Sequence, residues 1–137
     1  YIDGKPNAGY LCKLAVAQDV YGVTGACMMI SKSKYGKMGG LDEAFVVAFN
    51  DVDFCCRLMK AGYYNVFTPF AQLYHYESKS RGYEDTPEKK ARFARETKLL
   101  LERHGKEIAE GDPFYSPMLT TDTEDYAMRR DYSVFIN

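Results

Sequence analysis

The stretch "AFNDVDFCCRLMKAGY", Ala48 to Tyr63, sets two carboxylates, Asp51 and Asp53, at the head of an apolar helical run. A paired acid there is a cap, a salt bridge or a general base. Helix geometry turns residues i and i+2 about 200° apart, so the two aspartates face different ways. Asp53 lies in line with Cys56, Arg57 and Lys60, and with Arg57 makes the favourable acid-before-base i,i+4 pair, a structural role. Asp51 lies in line with Phe54, Cys55 and Leu58, at the N-terminal end of an apolar stripe. Two roles stay open for it. Either it caps its own helix, or Asn50 takes the cap and leaves Asp51 ionised at the rim of a cleft, as a base requires.

The elements around these residues follow from pattern. "VYGVTGACMMIS", Val20 to Ser31, is rich in β-branched and apolar residues and predicts a buried strand interrupted by Gly22 and Gly25. Gly36, Gly39 and Gly40 mark turns before Asp42 and Glu43. The helix after Asn50 ends at Gly62, and Tyr64 to Ser78 predicts two short strands or one bent strand ending near His75. Thr86 caps a second long helix with Pro87 first and Glu88 second. That helix is expected to run to His104, as a C-terminal residue, to stop at Gly105, and to carry Phe93, Thr97, Leu100 and Leu101 on one stripe. Residues 106–137 have no sustained period and read as an extended C-terminal arm. The expected fold class is α/β, one domain over 1–137, a mixed sheet with two main helices.

The 137 residues allow one core, with 46% hydrophobic and 27% charged residues. A net charge of -1 gives no basic field of the kind that recruits nucleic acid, so no nucleic-acid partner is expected. The cysteines Cys12, Cys27, Cys55 and Cys56 form no CxxC pair, which argues against a zinc knuckle and fits a reducing compartment. Cys55 and Cys56 read as small core residues. Apolar runs stay short of the roughly 20 residues of a bilayer span. From Lys79 to Lys106 nine Lys or Arg stand against five acids: a solvated helix face, or a surface drawn to an anionic membrane leaflet.

Five segments in order resemble the acceptor-side half of the catalytic domain of a family 2 glycosyltransferase, an inverting enzyme of the GT-A fold. They are "TGACMMI" (24–30), "GGLDEAF" (39–45), "NDVDFCCRL" (50–58), "YHYESKSRG" (74–82) and "GDPFYSPML" (111–119), within a likeness running from Tyr10 to Leu119. The resemblance implies that Asp51 is the catalytic base and that His75 is a ligand of a divalent metal, Mn or Mg. It implies acceptor or substrate contacts from Thr24, Gly25, Asp42, Glu43, Asn50 and Arg81, with Arg81 beside the donor diphosphate. Without it, His75 is a strand-end residue bonded to backbone, Arg81 a solvated loop arginine, and Asp42 and Glu43 turn caps. The sequence departs from the family pattern in two places. Asn50 stands where an acidic residue usually precedes the base, and Ser116 and Met118 stand where the tail motif usually carries Asn.

"DVD" is the only DxD triplet, and a Gly-rich phosphate loop at a strand–helix junction is lacking, so the chain resembles a partial GT-A fold without its N-terminal nucleotide-binding half. The implied partners of the full enzyme are a nucleoside diphosphate sugar and a glycan or lipid-linked acceptor, in bacterial cell-envelope polysaccharide synthesis. The implied location is cytoplasmic, with peripheral contact on the inner face of the membrane. The isolated chain is expected to be inactive, to bind no metal tightly, and to self-associate through surface that a missing half would cover. The alternative is a non-catalytic carbohydrate-binding or scaffold α/β module with Asp51 as a plain N-cap.

Overall fold

A computed structural model describes residues 8–74, 86–123 and 125–130. Among them are two strands, β1 (Gln18–Val20) and β2 (Asn65–Phe67), and three α-helices, α1 (Lys32–Lys37), α2 (Asn50–Lys60) and α3 (Pro87–Glu110). The strands pair antiparallel, with Gln18 opposite Phe67 and Val20 opposite Asn65. The class is therefore α/β as expected, but the sheet among the described residues is one antiparallel pair rather than a larger mixed sheet.

Helix α2 is the centre of the molecule and packs on both β2 and α3. Its Phe54, Cys55, Cys56 and Leu58 are buried, joined by Phe45 from the preceding loop and Leu100 from α3. Two adjacent cysteines suit this place, because their small side chains let the segment after β1 come close, with Val23 N–H donating to Cys55 Sγ and Cys56 Sγ beside the Tyr21 hydroxyl. Asn65 ties the layers together: its amide donates to the carbonyls of Tyr21 (2.9 Å) and Cys55 (3.4 Å).

Several expectations are corrected. The strand predicted over Val20 to Ser31 ends at Val20, because Gly25–Cys27 closes into a 3-10 turn and Met29 projects into solvent. The cap of α2 is neither Asn50 nor Asp51. Phe49 occupies that position in the left-handed region (φ 64°) with no side-chain capping bond, and its ring packs on Phe93 of α3 at 5.2 Å. Helix α3 begins as predicted, with the Thr86 hydroxyl accepting from Lys89 N–H. It does not stop at Gly105; it continues to Glu110 and ends at Gly111 (φ 86°), so the arm starts there. His104 is accordingly an interior residue that turns into the core with Glu96 and Leu100, a spacing of four that keeps one face inward. The predicted stripe splits: Leu100 is buried, whereas Phe93 and Leu101 are exposed.

The arm folds back as a small loop, bridged between Leu119 and Met128. It returns to the start of the chain, where Tyr126 stacks on Tyr10 with ring centroids 4.6 Å apart and planes 8° from parallel. Among the described residues no helix is long and apolar enough to cross a membrane.

Candidate functional site

Asp51 sits in the first turn of α2, where unpaired backbone N–H groups give the helix end positive character. Its Oδ2 accepts the Gly25 N–H at 2.7 Å and its Oδ1 accepts the Val52 N–H at 2.9 Å. The Asn50 Oδ1 in turn accepts the Asp51 N–H at 2.7 Å. Thr24 accepts from Ala26 N–H and so fixes the 3-10 turn that aims Gly25 at the carboxylate. A Cβ on Gly25 would lie 3.5 Å from Asp51, ordinary contact distance, so the approach is close without excluding a small side chain. Two separate sequence motifs, 24–30 and 50–58, thus meet at one carboxylate. That group offers about four lone-pair sites and uses two, so it retains room to accept a hydroxyl proton.

The structure brings Thr24, Gly25, Asn50 and Asp51 together and places Asp42 and Glu43 elsewhere. Asp42 accepts from Ala44 N–H (2.8 Å) and from Arg103 of α3 (2.7 Å). The Ala44 amide, then the Arg103 guanidinium, hold its carboxyl below the usual range, and the pairing pushes the arginine up. Glu43 is exposed. His75 and Arg81 lie outside the described residues.

Sequence reasoning identified Asp53 as structural but missed most of its setting. Asp53 is fully buried. Its Oδ2 accepts from Arg57 Nε at 2.8 Å and its Oδ1 from His104 Nε2 at 2.9 Å, with Arg103 Nη1 at 3.5 Å. Since a carboxylate only accepts, His104 carries its proton on Nε2. Burial works against the charge on Asp53, yet the bonds from His104 and Arg57 prevail and hold its carboxyl below the usual range. Arg57 extends the network by donating to the carbonyls of Met38 (2.6 Å) and Gly40 (2.7 Å). A second buried acid, Glu96, accepts the Ala48 N–H at 2.6 Å and so pins the chain just before the left-handed Phe49. The available signal was the Glu96–Leu100–His104 spacing, which puts three residues on one helical face.

Among the described residues no group of three or more His, Cys, Asp or Glu side chains is arranged to hold a metal ion. The described donors do not fit a metal centre of their own. Asp51 has amides for neighbours, and Asp53 is already occupied by a histidine and two arginines.

No protein-family model matches the chain. No solved structure matches it either. An uncharacterized protein of Sinorhizobium fredii, y4gI, is 46% identical over 123 residues, 89% of this chain and 13% of that protein. An N-acetylglucosaminyl-diphospho-decaprenol L-rhamnosyltransferase of Mycobacterium tuberculosis is 32% identical over 82 residues, 60% of this chain and 27% of the enzyme. The O-antigen biosynthesis protein RfbC of Myxococcus xanthus is 34% identical over 108 residues, 79% of this chain and 8% of that protein. The chain spans no more than 27% of any of these three relatives. Over more than half its length it is therefore similar to part of a protein named as a glycosyltransferase, and over more again to part of one named for O-antigen assembly.

Proposed function

We propose that this chain is the acceptor-side part of an inverting, family 2, GT-A-type glycosyltransferase that builds cell-envelope polysaccharide. The observation that carries the reading is the Asp51 carboxylate at the α2 N-terminus, in contact with Gly25, within a sequence similar to part of a rhamnosyltransferase. In this mechanism Asp51 removes the proton from an acceptor hydroxyl. The resulting oxygen bonds to the anomeric carbon of a nucleoside diphosphate sugar as the bond to the diphosphate breaks on the opposite face, inverting the configuration. General-base assistance of this kind contributes a factor of about 10² to 10⁴. Thr24, Gly25 and Asn50 shape the wall around the base. Asp42 and Glu43 belong to the acceptor-side loop, with Asp42 acting through its bond to Arg103. His75 serves as a ligand for a divalent metal, Mn or Mg, whose other ligands lie outside the described residues, and Arg81 meets the donor diphosphate. When bound, the metal neutralises charge on the leaving diphosphate. The acceptor is a glycan or lipid-linked saccharide, reached from the cytoplasmic face with the basic stretch against the membrane.

The decisive substitution is Asp51→Asn in the intact enzyme, expected to lower transfer by about 10² to 10⁴ while donor binding persists. Unchanged transfer would overturn the assignment. The 137-residue chain alone is expected to neither bind donor tightly nor turn over; a micromolar affinity for a uridine or deoxythymidine diphosphate sugar would refute that. A second reading has one observation in its favour. Both oxygens of Asp51 already accept backbone amides, as they would in a non-catalytic carbohydrate-binding or scaffold module where the aspartate only ties α2 to the 24–27 turn.

A further inference from the structure

The outer face of α3 carries a feature that neither the core nor the candidate site uses. Glu96, Leu100 and His104 face inward. At 100° per residue, Ala94, Thr97, Leu101, Gly105 and Ile108 fall on a separate stripe about a third of a turn away, with Phe93 at its edge. Phe93 is 44% exposed, Leu101 51% and Ile108 39%, and the Phe93–Leu101 part of the stripe is a shallow concavity of about 650 Å³. Gly105 is a further mark. A glycine inside a helix costs about 1 kcal/mol relative to alanine, yet a Cβ there would meet nothing within 4 Å. Packing among the described residues does not explain it, whereas close approach of another helix would.

The charges on α3 identify what fits this face. The N-terminal half carries Lys89, Lys90, Arg92, Arg95 and Lys98 against Glu88 and Glu96, and the residues after Lys98 carry Glu102, Glu107 and Glu110 against Arg103 and Lys106. Lys98 and Glu102 flank the stripe on the same edge as an i,i+4 pair 3.8 Å apart, with side chains 79% and 59% exposed and open to a second partner. Laid parallel, two copies of α3 would set lysine beside lysine. Laid antiparallel about a two-fold axis level with Leu100, each Lys98 meets the Glu102 of the other copy. The same register sets Leu101 against Leu101 near the axis and brings Phe93 and Ala94 over the gap at Gly105 and toward Ile108.

We propose that the outer face of α3 is a self-association surface on which two copies of this chain pair antiparallel. The stripe from Phe93 to Ile108 is about 22 Å long at 1.5 Å per residue. With a width of about 10 Å, it buries a few hundred Å² per copy, below the roughly 800 Å² of a standard interface, so the dimer is weak and concentration-dependent. The inference uses only the outer face of α3 and does not depend on the role of Asp51 as base.

The test is sedimentation velocity of the 137-residue chain from about 5 to 500 µM at about 50 mM salt, where exposed charges are little screened. The wild type is expected to pass from monomer to dimer across that range. Lys98→Glu and Glu102→Lys each place like charges face to face and are expected to weaken the dimer about tenfold. An equimolar mixture of the two variants pairs acid with base at all four positions and is expected to restore it. Intrahelical pairing cannot produce that recovery. Circular dichroism checks that both variants fold, and Leu101→Glu is expected to give a monomer. A wild type that stays monomeric, single variants that dimerise like the wild type, or a mixture no heavier than its components would each overturn the proposal.

Discussion

Replacing Asp53 by Asn tests the central electrostatic claim, that one buried carboxylate joins α2 to α3. The substitution keeps size and shape but removes the charge that faces Arg57, His104 and Arg103. The new amide NH2 also points a donor at groups that are themselves donors. Breaking a buried pair by removing one partner costs about 3 to 5 kcal/mol. The Arg57 side chain is 24% exposed and that of Arg103 35%, so water recovers part of the loss and the lower end, about 3 kcal/mol, applies. With a urea dependence of about 2 kcal/mol per molar for a chain this size, the unfolding midpoint falls by about 1.5 M. Urea titrations followed by circular dichroism at pH 7 would measure it, with Glu102→Gln on the exposed face as control. The pH dependence supplies a second check. The folded carboxyl titrates below its ordinary 3.8, so its contribution is complete above that value and disappears as pH falls through the lower folded one. The gap between wild type and variant should therefore begin to narrow below about pH 4 and go on narrowing as pH falls further. A loss under about 1 kcal/mol at pH 7, or a gap unchanged at pH 3, would refute the reasoning.

Two further substitutions or reactions probe the packing around the same helix. Glu96→Ala removes the acceptor of the Ala48 N–H and is expected to cost about 1 to 3 kcal/mol, with faster hydrogen exchange at Ala48 as the local readout. Protection at that amide equal to the wild type would show that the loop before Phe49 is held by something else. Burial pushes the Cys55 and Cys56 thiols up, while Cys12 and Cys27 are exposed, so a disulfide reagent at pH 8 should modify the latter pair rapidly and the former only on unfolding. Equal rates at all four would contradict the buried placement.

The parts of this fold readable in the sequence were those fixed by local chemistry. The Thr86–Pro87 start of α3, the Gly62 end of α2, the Asp53–Arg57 pair and the core cysteines each follow from a few neighbouring residues. What failed depended on distant partners. Gly105 looked like a terminator because a mid-helix glycine is unfavourable, yet the ladder continues through it to Gly111, where the left-handed backbone is adopted. His104 looked like an end residue because nothing local reveals that Asp53, fifty-one positions earlier, waits for its ring. The apolar run after Val20 looked like a strand, but Gly25 turns there to present its N–H to Asp51. For the candidate site, the sequence nominated Asp51 with Asn50 and Gly25, and the structure brings those three together; the contact of Asp42 with Arg103 was invisible because it joins residues 61 positions apart.

The stacked rings of Tyr10 and Tyr126 bear on the order in which this molecule assembles. A contact between residues 116 positions apart closes a very long loop, and such closures come late. During synthesis Tyr126 emerges after α1, α2 and α3, so the 3-10 turn at Tyr10–Ala15 waits, undocked, until residue 126 has been made. Docking of the two tyrosines thus follows formation of the helices, and truncation ahead of Tyr126 would leave the helical centre formed with the Tyr10–Ala15 turn undocked.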